Sequence, residues 1–530
     1  MRGTIKTLAG VSALAVAVSC LEKRQAPNIL FCIADDASFE HWGAMGCDWV
    51  NTPAFDRVAS EGVLYTNCYT TNAKSAPSRA CLLTGKYSWQ LGEAGNHICN
   101  FPEEHKVFTE VLAENGYYVG YTTKGWGPGN PGMKDGVKRL LTGKAYDKRK
   151  TQKPTSQINP SDYAANFEDF LNDSGNGPWF FWYGSREPHR KYEYGSGISK
   201  GGKTPLMIDK VPDFWPDNDT VRTDMLDYAY EIEHFDDHLG RMLKILEDRN
   251  LLHNTIVVVT SDNGMPFPRC KGNNYEYSHH LPLAIMWPAG IRRPGRVEDG
   301  FVSFVDLAPT FLEAAGVKDS GMEMAGQSFL RNIRGRASTT GRETLLFGRE
   351  RHDNGRPDNQ GYPIRGIRNG DWLLLWNLKP WLWPAGNPAT GYRDMDSSPS
   401  KTLILNMMRE GSDSSFWKMS MGKRPEYELY NVAEDPYCMR NLAAEPDYGT
   451  LVSDLKSELV ISLKSQGDPR MGDDGDIFDR YPFDDPAKAN IYEDVVSGRI
   501  PEPWNHSKWV IRTDYPQFVQ RFVMSSLERE

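Results

Sequence analysis

Two nearly continuous apolar runs frame the first half of the chain, Asn28-Ile-Leu-Phe-Cys-Ile-Ala34 and Thr255-Ile-Val-Val-Val-Thr-Ser261. Runs with so little polar alternation predict strands covered on both faces of a parallel sheet. Tyr117–Thr123 and the aromatic run Trp179–Tyr183 read the same way. Ahead of the second run, Tyr228, Ile232, Phe235, Leu239, Leu243 and Leu246 recur at helical spacing and predict an amphipathic helix. A polar stretch, Gly335 to Gly341, then interrupts the pattern. Beyond it, Leu345–Gly348, Trp372–Trp376 and Tyr427–Tyr430 are short runs of the kind antiparallel sheets use. The expected organisation is an α/β unit over 21–340, built on a large, mostly parallel sheet between helices. A smaller antiparallel unit follows over 341–466. Residues 467–530, rich in Asp, Pro and Tyr, form a C-terminal extension.

Both long apolar runs end in oxygen donors, Asp35-Asp36 in one case and Asp262-Asn263 in the other. Open α/β sheets bind ligands at the C-terminal ends of their strands. An isolated Asp-Asp is more often a solvated loop pair. Two acidic strand ends far apart in sequence point instead to one assembled site, because buried adjacent carboxylates repel unless a cation sits among them. With no His or Cys in the set, the donors suit calcium better than zinc.

The third stretch of interest is Asn72–Gly85. Pro77 suits a first helical turn, Ala80 to Leu83 read as buried turns, and Gly85 as the stop. Ser75 then falls at a helix N-terminus, where free N–H groups favour an anion, and Arg79 reaches back from one turn on.

Composition narrows the chemistry. The 530 residues carry a net charge of −9 with acids scattered throughout, which argues against nucleic acid as a partner. An anionic substrate therefore needs a local cluster of cations. Residues 1–20 read as an export signal: Arg2 and Lys6, an apolar run from Leu8 to Val18, then Ser19-Cys20 in the manner of a loose lipobox. The expectation is a periplasmic or outer-membrane-anchored lipoprotein with a lipid on Cys20. The other cysteines have no tight spacing, leaving one or two disulfides open and giving no zinc knuckle.

The pattern Ser75-x-Pro77-Ser78-Arg79-x-x-Leu82-x-Thr84-Gly85 resembles the signature of the type I sulfatases of the alkaline phosphatase superfamily. The resemblance extends in separated motifs from residue 27 to about 465. It implies an alkaline-phosphatase-like fold and oxidation of Ser75 to formylglycine by a serine-type radical maturase. It further implies calcium held by Asp35, Asp36, Asp262, Asn263 and the modified Ser75. Arg79, Lys124, His189 and Lys271 become the catalytic candidates, with His189 facing the leaving group. One departure stands out: the family's histidine two places after the lysine is Trp126 here. His97, Arg349, Arg351 and His352 are the candidates for reading the sugar.

Ser261–Pro268 and the Gly348 region look most like the heparan N-sulfatase (sulfamidase) branch, which implies N-sulfated glucosamine. Trp126 and the Arg349–His352 cluster point instead to an O-sulfated galactose or N-acetylhexosamine of mucin or glycosaminoglycan. Two other classes stay open. A two-metal phosphoryl hydrolase needs extra His/Asp ligands that the sequence does not offer, and a glycan-binding protein would keep Ser75 unmodified.

Overall fold

The computed structural model describes residues 26–499. The export signal and Cys20, and the extension beyond 499, lie outside the described residues.

A nine-stranded sheet forms the centre. Asn28–Ala34 lies in its middle, parallel to Thr255–Ser261 on one side and to Trp179–Gly184 on the other. Tyr118–Thr123 continues the parallel set beyond Trp179–Gly184. His280–Met286 is antiparallel to both of its neighbours, Thr255–Ser261 and Val63–Tyr69, so the sheet is mixed but mostly parallel, as expected.

The apolar runs are continuous because each strand is covered on both sides. Ile29, Phe31 and Ile33 pack into the layer with the Ser75–Thr84 helix and Phe311. Leu30, Cys32 and Ala34 face the layer of the long helix Asp219–Asp248. Asn218 caps that helix by accepting from the Val221 N–H, and the six apolar positions predicted for its inner face are all buried.

A second sheet of four antiparallel strands packs alongside: Thr344–Arg349, Ile364–Asn369, Trp372–Asn377 and Tyr427–Asn431. Its central hairpin turns on two residues, Gly370 and Asp371, and Gly370 takes the positive φ of 55° that such a turn requires. After the helix Gly449–Ser465, the chain returns to the first unit as a strap. The Asn96 side chain donates to Phe478 O, and the Asp484 N–H donates to Ile98 O. The seven cysteines of the described residues are all free thiols, so the disulfides left open by the sequence do not form there.

Candidate active site

Register decides which strand ends meet. Ala34 pairs with Ser261, so Asp35 and Asp262 emerge side by side. Thr123 pairs with Gly184, which delivers Lys124 to the same edge. Gly184 must lack a side chain, because a Cβ there would lie 1.8 Å from the Lys124 carbonyl oxygen. Asp36 and Thr123 both adopt left-handed backbone, with φ of 73° and 63°. Non-glycine residues hold that conformation at a cost, and here it turns the strand ends into the site.

Asp35, Asp36 and Asp262 bring carboxylate oxygens within 4.8 Å of one another, and all three are buried. Asn263 donates to Asp36 Oδ1 at 2.8 Å. Its own Oδ1 is buried with no partner. Three like charges and an orphaned neutral oxygen make a poor core but a good set of hard donors for a divalent cation.

The Ser75–Thr84 helix starts beside them. Lys74 is its N-cap but supplies no side-chain cap, so the first-turn N–H groups keep their capacity for an anion. Ser75 Oγ donates to Asp35 Oδ1 at 3.2 Å and accepts from Lys124 Nζ at 3.1 Å. Lys124 also spans both Asp35 oxygens, at 2.6 and 2.5 Å. Arg79 Nε donates to Asp262 Oδ2 at 2.9 Å, and its Nη1 holds the carbonyls of Lys124 and Gly125. Arg79 Nη2 has no hydrogen-bond partner, although Asp35 Oδ1 lies 3.7 Å away. Lys271 Nζ bridges Asp36 at 2.6 Å and Asp396 at 3.3 Å.

Burial and charge pull against each other here. Burial pushes the Asp35 carboxyl up, but Lys124 and its neighbours hold it below the usual range. The Lys124 ammonium is drawn down, chiefly by burial. For Lys271 burial acts downward too, yet Asp36 and Asp396 outweigh it and the ammonium is stabilised.

His189 stands at the open side. Its Nδ1 meets the Arg190 carbonyl at 2.6 Å, which places a proton on that nitrogen, since a carbonyl can only accept. Nε2 is left toward the site, 3.9 Å from Asp36 Oδ2. His189, Lys124 and Trp126 line a cleft of about 490 Å³. Trp126 makes no substitute for an imidazole. Its indole N–H donates to the Ala76 carbonyl and its ring packs edge-on against Phe101, pinning the start of the helix.

The predicted sugar-reading group divides. His97 lies near the site, with Nδ1 3.4 Å from Asp353 Oδ1. His352 is fully buried, with Nε2 2.9 Å from Asn72 Oδ1. Arg349 and Arg351 need correction. Arg349 donates to Pro384 O and Asp394, and Arg351 to the carbonyls of Tyr481 and Pro482. Both are buried and serve as clasps, because the strand Thr344–Arg349 runs into the molecule rather than along an open rim. Glu350, between them, is buried with Arg365 and Arg470.

Three residues at the site carry little signal in the sequence. Lys74 pairs with Asp353 at 2.8 Å, and Asp396 meets Lys271. The side chains of Asp353 and Asp396 keep 20% and 25% exposure, against 2% or less for the three clustered acids. Adjacency to Ser75 and His352 could have drawn attention to Lys74 and Asp353. Asp396 has no such marker.

The chain has relatives among known proteins. The family described as Sulfatase matches residues 27–317, and the description N-sulphoglucosamine sulphohydrolase, C-terminal, matches residues 270–375. The chain is 27% identical to human N-sulphoglucosamine sulphohydrolase over 480 residues, covering 82% of this chain and 89% of that one. It is 26% identical to an ulvan-active sulfatase of Formosa agariphila, covering 85% and 83%. Among solved structures, one in complex with its substrate D-glucosamine-2-N,6-O-disulfate superposes with a TM-score of 0.60. It is 20% identical and covers 85% of this chain and all of that one, which speaks for the fold.

Proposed function

Since the chain belongs to the sulfatase family, and is thus a sulfuric ester hydrolase, we propose that it removes sulfate from carbohydrate through a calcium site and a formylglycine made from Ser75. The observation that carries this reading is the buried triad Asp35, Asp36 and Asp262 with the orphaned Asn263 oxygen, directly beside Ser75. Those four residues would hold calcium, whose charge would offset that of the sulfuryl oxygens. The spare N–H of Arg79 fits a second hydroxyl at position 75, and a hydrated aldehyde there supplies a nucleophile with a route to release sulfate.

The remaining work falls to side chains already in place. Lys124 and Lys271 present ammonium groups where charge builds on the sulfuryl oxygens, and each such donor is worth roughly 100- to 1000-fold in rate. His189, once doubly protonated, donates from Nε2 to the leaving oxygen, while Nδ1 stays fixed on the Arg190 carbonyl. Asp353 and Asp396 offer partly exposed acceptors for sugar hydroxyl or amine donors.

Our first reading of the substrate is an O-sulfated N-acetylhexosamine or galactose of glycosaminoglycan or mucin. The second, N-sulfated glucosamine, is favoured by the similarity of residues 270–375 to N-sulphoglucosamine sulphohydrolase. Export with a lipid on Cys20, and maturation by a serine-type radical enzyme, complete the proposal. Its test is mass spectrometry of the Ser75 peptide from protein made with and without that maturase. The expected result is a loss of about two hydrogens that tracks with activity on sulfated sugars. Full activity in protein retaining unmodified Ser75 would overturn the formylglycine route.

A further inference from the structure

The cleft beside His189 extends well past the groups that handle sulfate, and its lining has a charge bias. It contains three carboxylates, none of them open to a ligand. Asp35 is held by Lys124. Glu187 accepts from the Asn159 N–H and from the Tyr163 and Ser185 hydroxyls. Glu231 is 1% exposed, too buried to meet a ligand, and burial next to Glu187 pushes its carboxyl well above the ordinary range. Asp353 and Asp396, the acids near the nucleophile that keep some exposure, do not line this cleft.

Its cations differ. Arg190 is committed to Asp224 through two hydrogen bonds. Arg186 is exposed, lines the cleft, and has no side-chain partner among the described residues. Lys191 is exposed on the same lining. Trp126 adds an aromatic face, and Gln157 and Asn159 add amides. An aromatic face, amides and a spare guanidinium make a surface suited to a sugar that carries an acidic group.

We propose that Arg186 is the centre of a second anion-binding subsite, which takes a carboxylate or sulfate on the sugar next to the one being desulfated. This rests on the sulfatase reading above and narrows it. The substrate class is an acidic, alternating glycan rather than a neutral chain with a lone sulfate. The sugar losing sulfate keeps its hydroxyls toward Asp353 and Asp396, whose charges are already met by Lys74 and Lys271, and the second anion is read at Arg186. Arg186 forms no bond with the scissile group and does not assist its cleavage.

The test uses matured full-length protein and two disaccharides. One is 6-O-sulfated N-acetylglucosamine joined to a uronic acid; the other is its carboxyl-reduced, neutral counterpart. Wild type should prefer the uronate by about tenfold in kcat/KM, a charged hydrogen bond discounted for partial exposure. Arg186→Gln should bring that ratio close to one. Arg186→Lys should leave it intermediate, because a point charge replaces a fork. Raising salt should shrink the wild-type ratio. A wild-type ratio of one, or a preference that survives Arg186→Gln, would overturn the subsite. Should neither disaccharide be turned over, it is the sulfatase reading for this sugar that fails. Calorimetry then decides the subsite: tighter uronate binding that Arg186→Gln abolishes supports it, and equal binding of both disaccharides overturns it.

Discussion

Two charge-dense regions lie buried in this molecule, and they are built on opposite plans. Around Ser75, carboxylates meet carboxylates, with Asp35, Asp36 and Asp262 within 4.8 Å of one another. Beside the second sheet, each carboxylate is instead bracketed by arginines. Glu350 lies between Arg365 and Arg470, and Asp394 between Arg349 and Arg356. The second region is neutralised by its own arginines. The first also holds cations, Lys124, Arg79 and Lys271, yet it crowds three acids together where it opens on a cleft. Density of charge therefore does not mark a site. Like charges forced together beside an opening do.

The largest effect that would separate the two regions is expected from Asp262→Ala. Activity should fall by about 1000-fold or more, since metal affinity and the anchor for Arg79 go together. In wild type, calcium at 100 to 1000 times its Kd should add about 3 to 4 kcal/mol of stability in a thermal-shift assay, and the variant should lose that gain. A variant that kept both would erase the contrast.

Arg365→Ala probes the other region. It strands Asp468 in the interior and leaves Glu350 with Arg470 alone, and breaking a buried pair costs about 3–5 kcal/mol. Denaturant midpoint should drop accordingly, while kcat/KM of the folded fraction stays within about threefold. Strong loss of activity at unchanged stability would mean that the clasp region takes part in the chemistry.

A smaller effect is expected on the open side of the site. His189→Ala should cost roughly 100-fold on a sulfated sugar and much less on an aryl sulfate, whose phenol departs without a proton. Equal losses on both would make His189 a sulfate holder.

The smallest effect lies on the seam between the two regions. His279 packs against Phe347, and burial lowers its imidazole to about 4. The unfolded chain binds that proton near pH 6.5, so this contribution to stability is full above about 6.5 and fades as pH falls toward 4. At pH 5 the loss is on the order of 2 kcal/mol. His279→Gln should flatten that part of the stability–pH curve, measured by urea unfolding between pH 7 and 5. An unchanged slope would mean that the ring charges without cost.

The contrast also explains what could be read from the chain. Asp35 and Asp262 were legible because a fully buried strand writes itself as an unbroken apolar run, and whatever follows it lands on the sheet edge. The second sheet was legible for a similar reason, through short runs such as Trp372–Trp376. Arg349 and Arg351 were not. Their neighbours in sequence mark a dense polar cluster, but their partners, Asp394 and the carbonyls of Tyr481 and Pro482, lie 45 to 131 positions away. Asp396 and Arg186 escape for the same reason: nothing local distinguishes an acid that will meet Lys271, or an arginine that will stay unpaired.

The strap formed by residues beyond 466 has a consequence in time. Trp89, Gln90, Asn96, Ile98 and Arg351 all bond to residues between 466 and 484. A ribosome adding about 5–20 residues per second makes residue 484 roughly 20 to 80 s after residue 98. For that interval the loop after the signature helix has no cover, and Asp262 itself is not made until the interval is well under way. In the finished fold Ser75 is only 2% exposed. An enzyme that had to reach its hydroxyl would therefore find it more open in a nascent or still unfolded chain than in the finished fold.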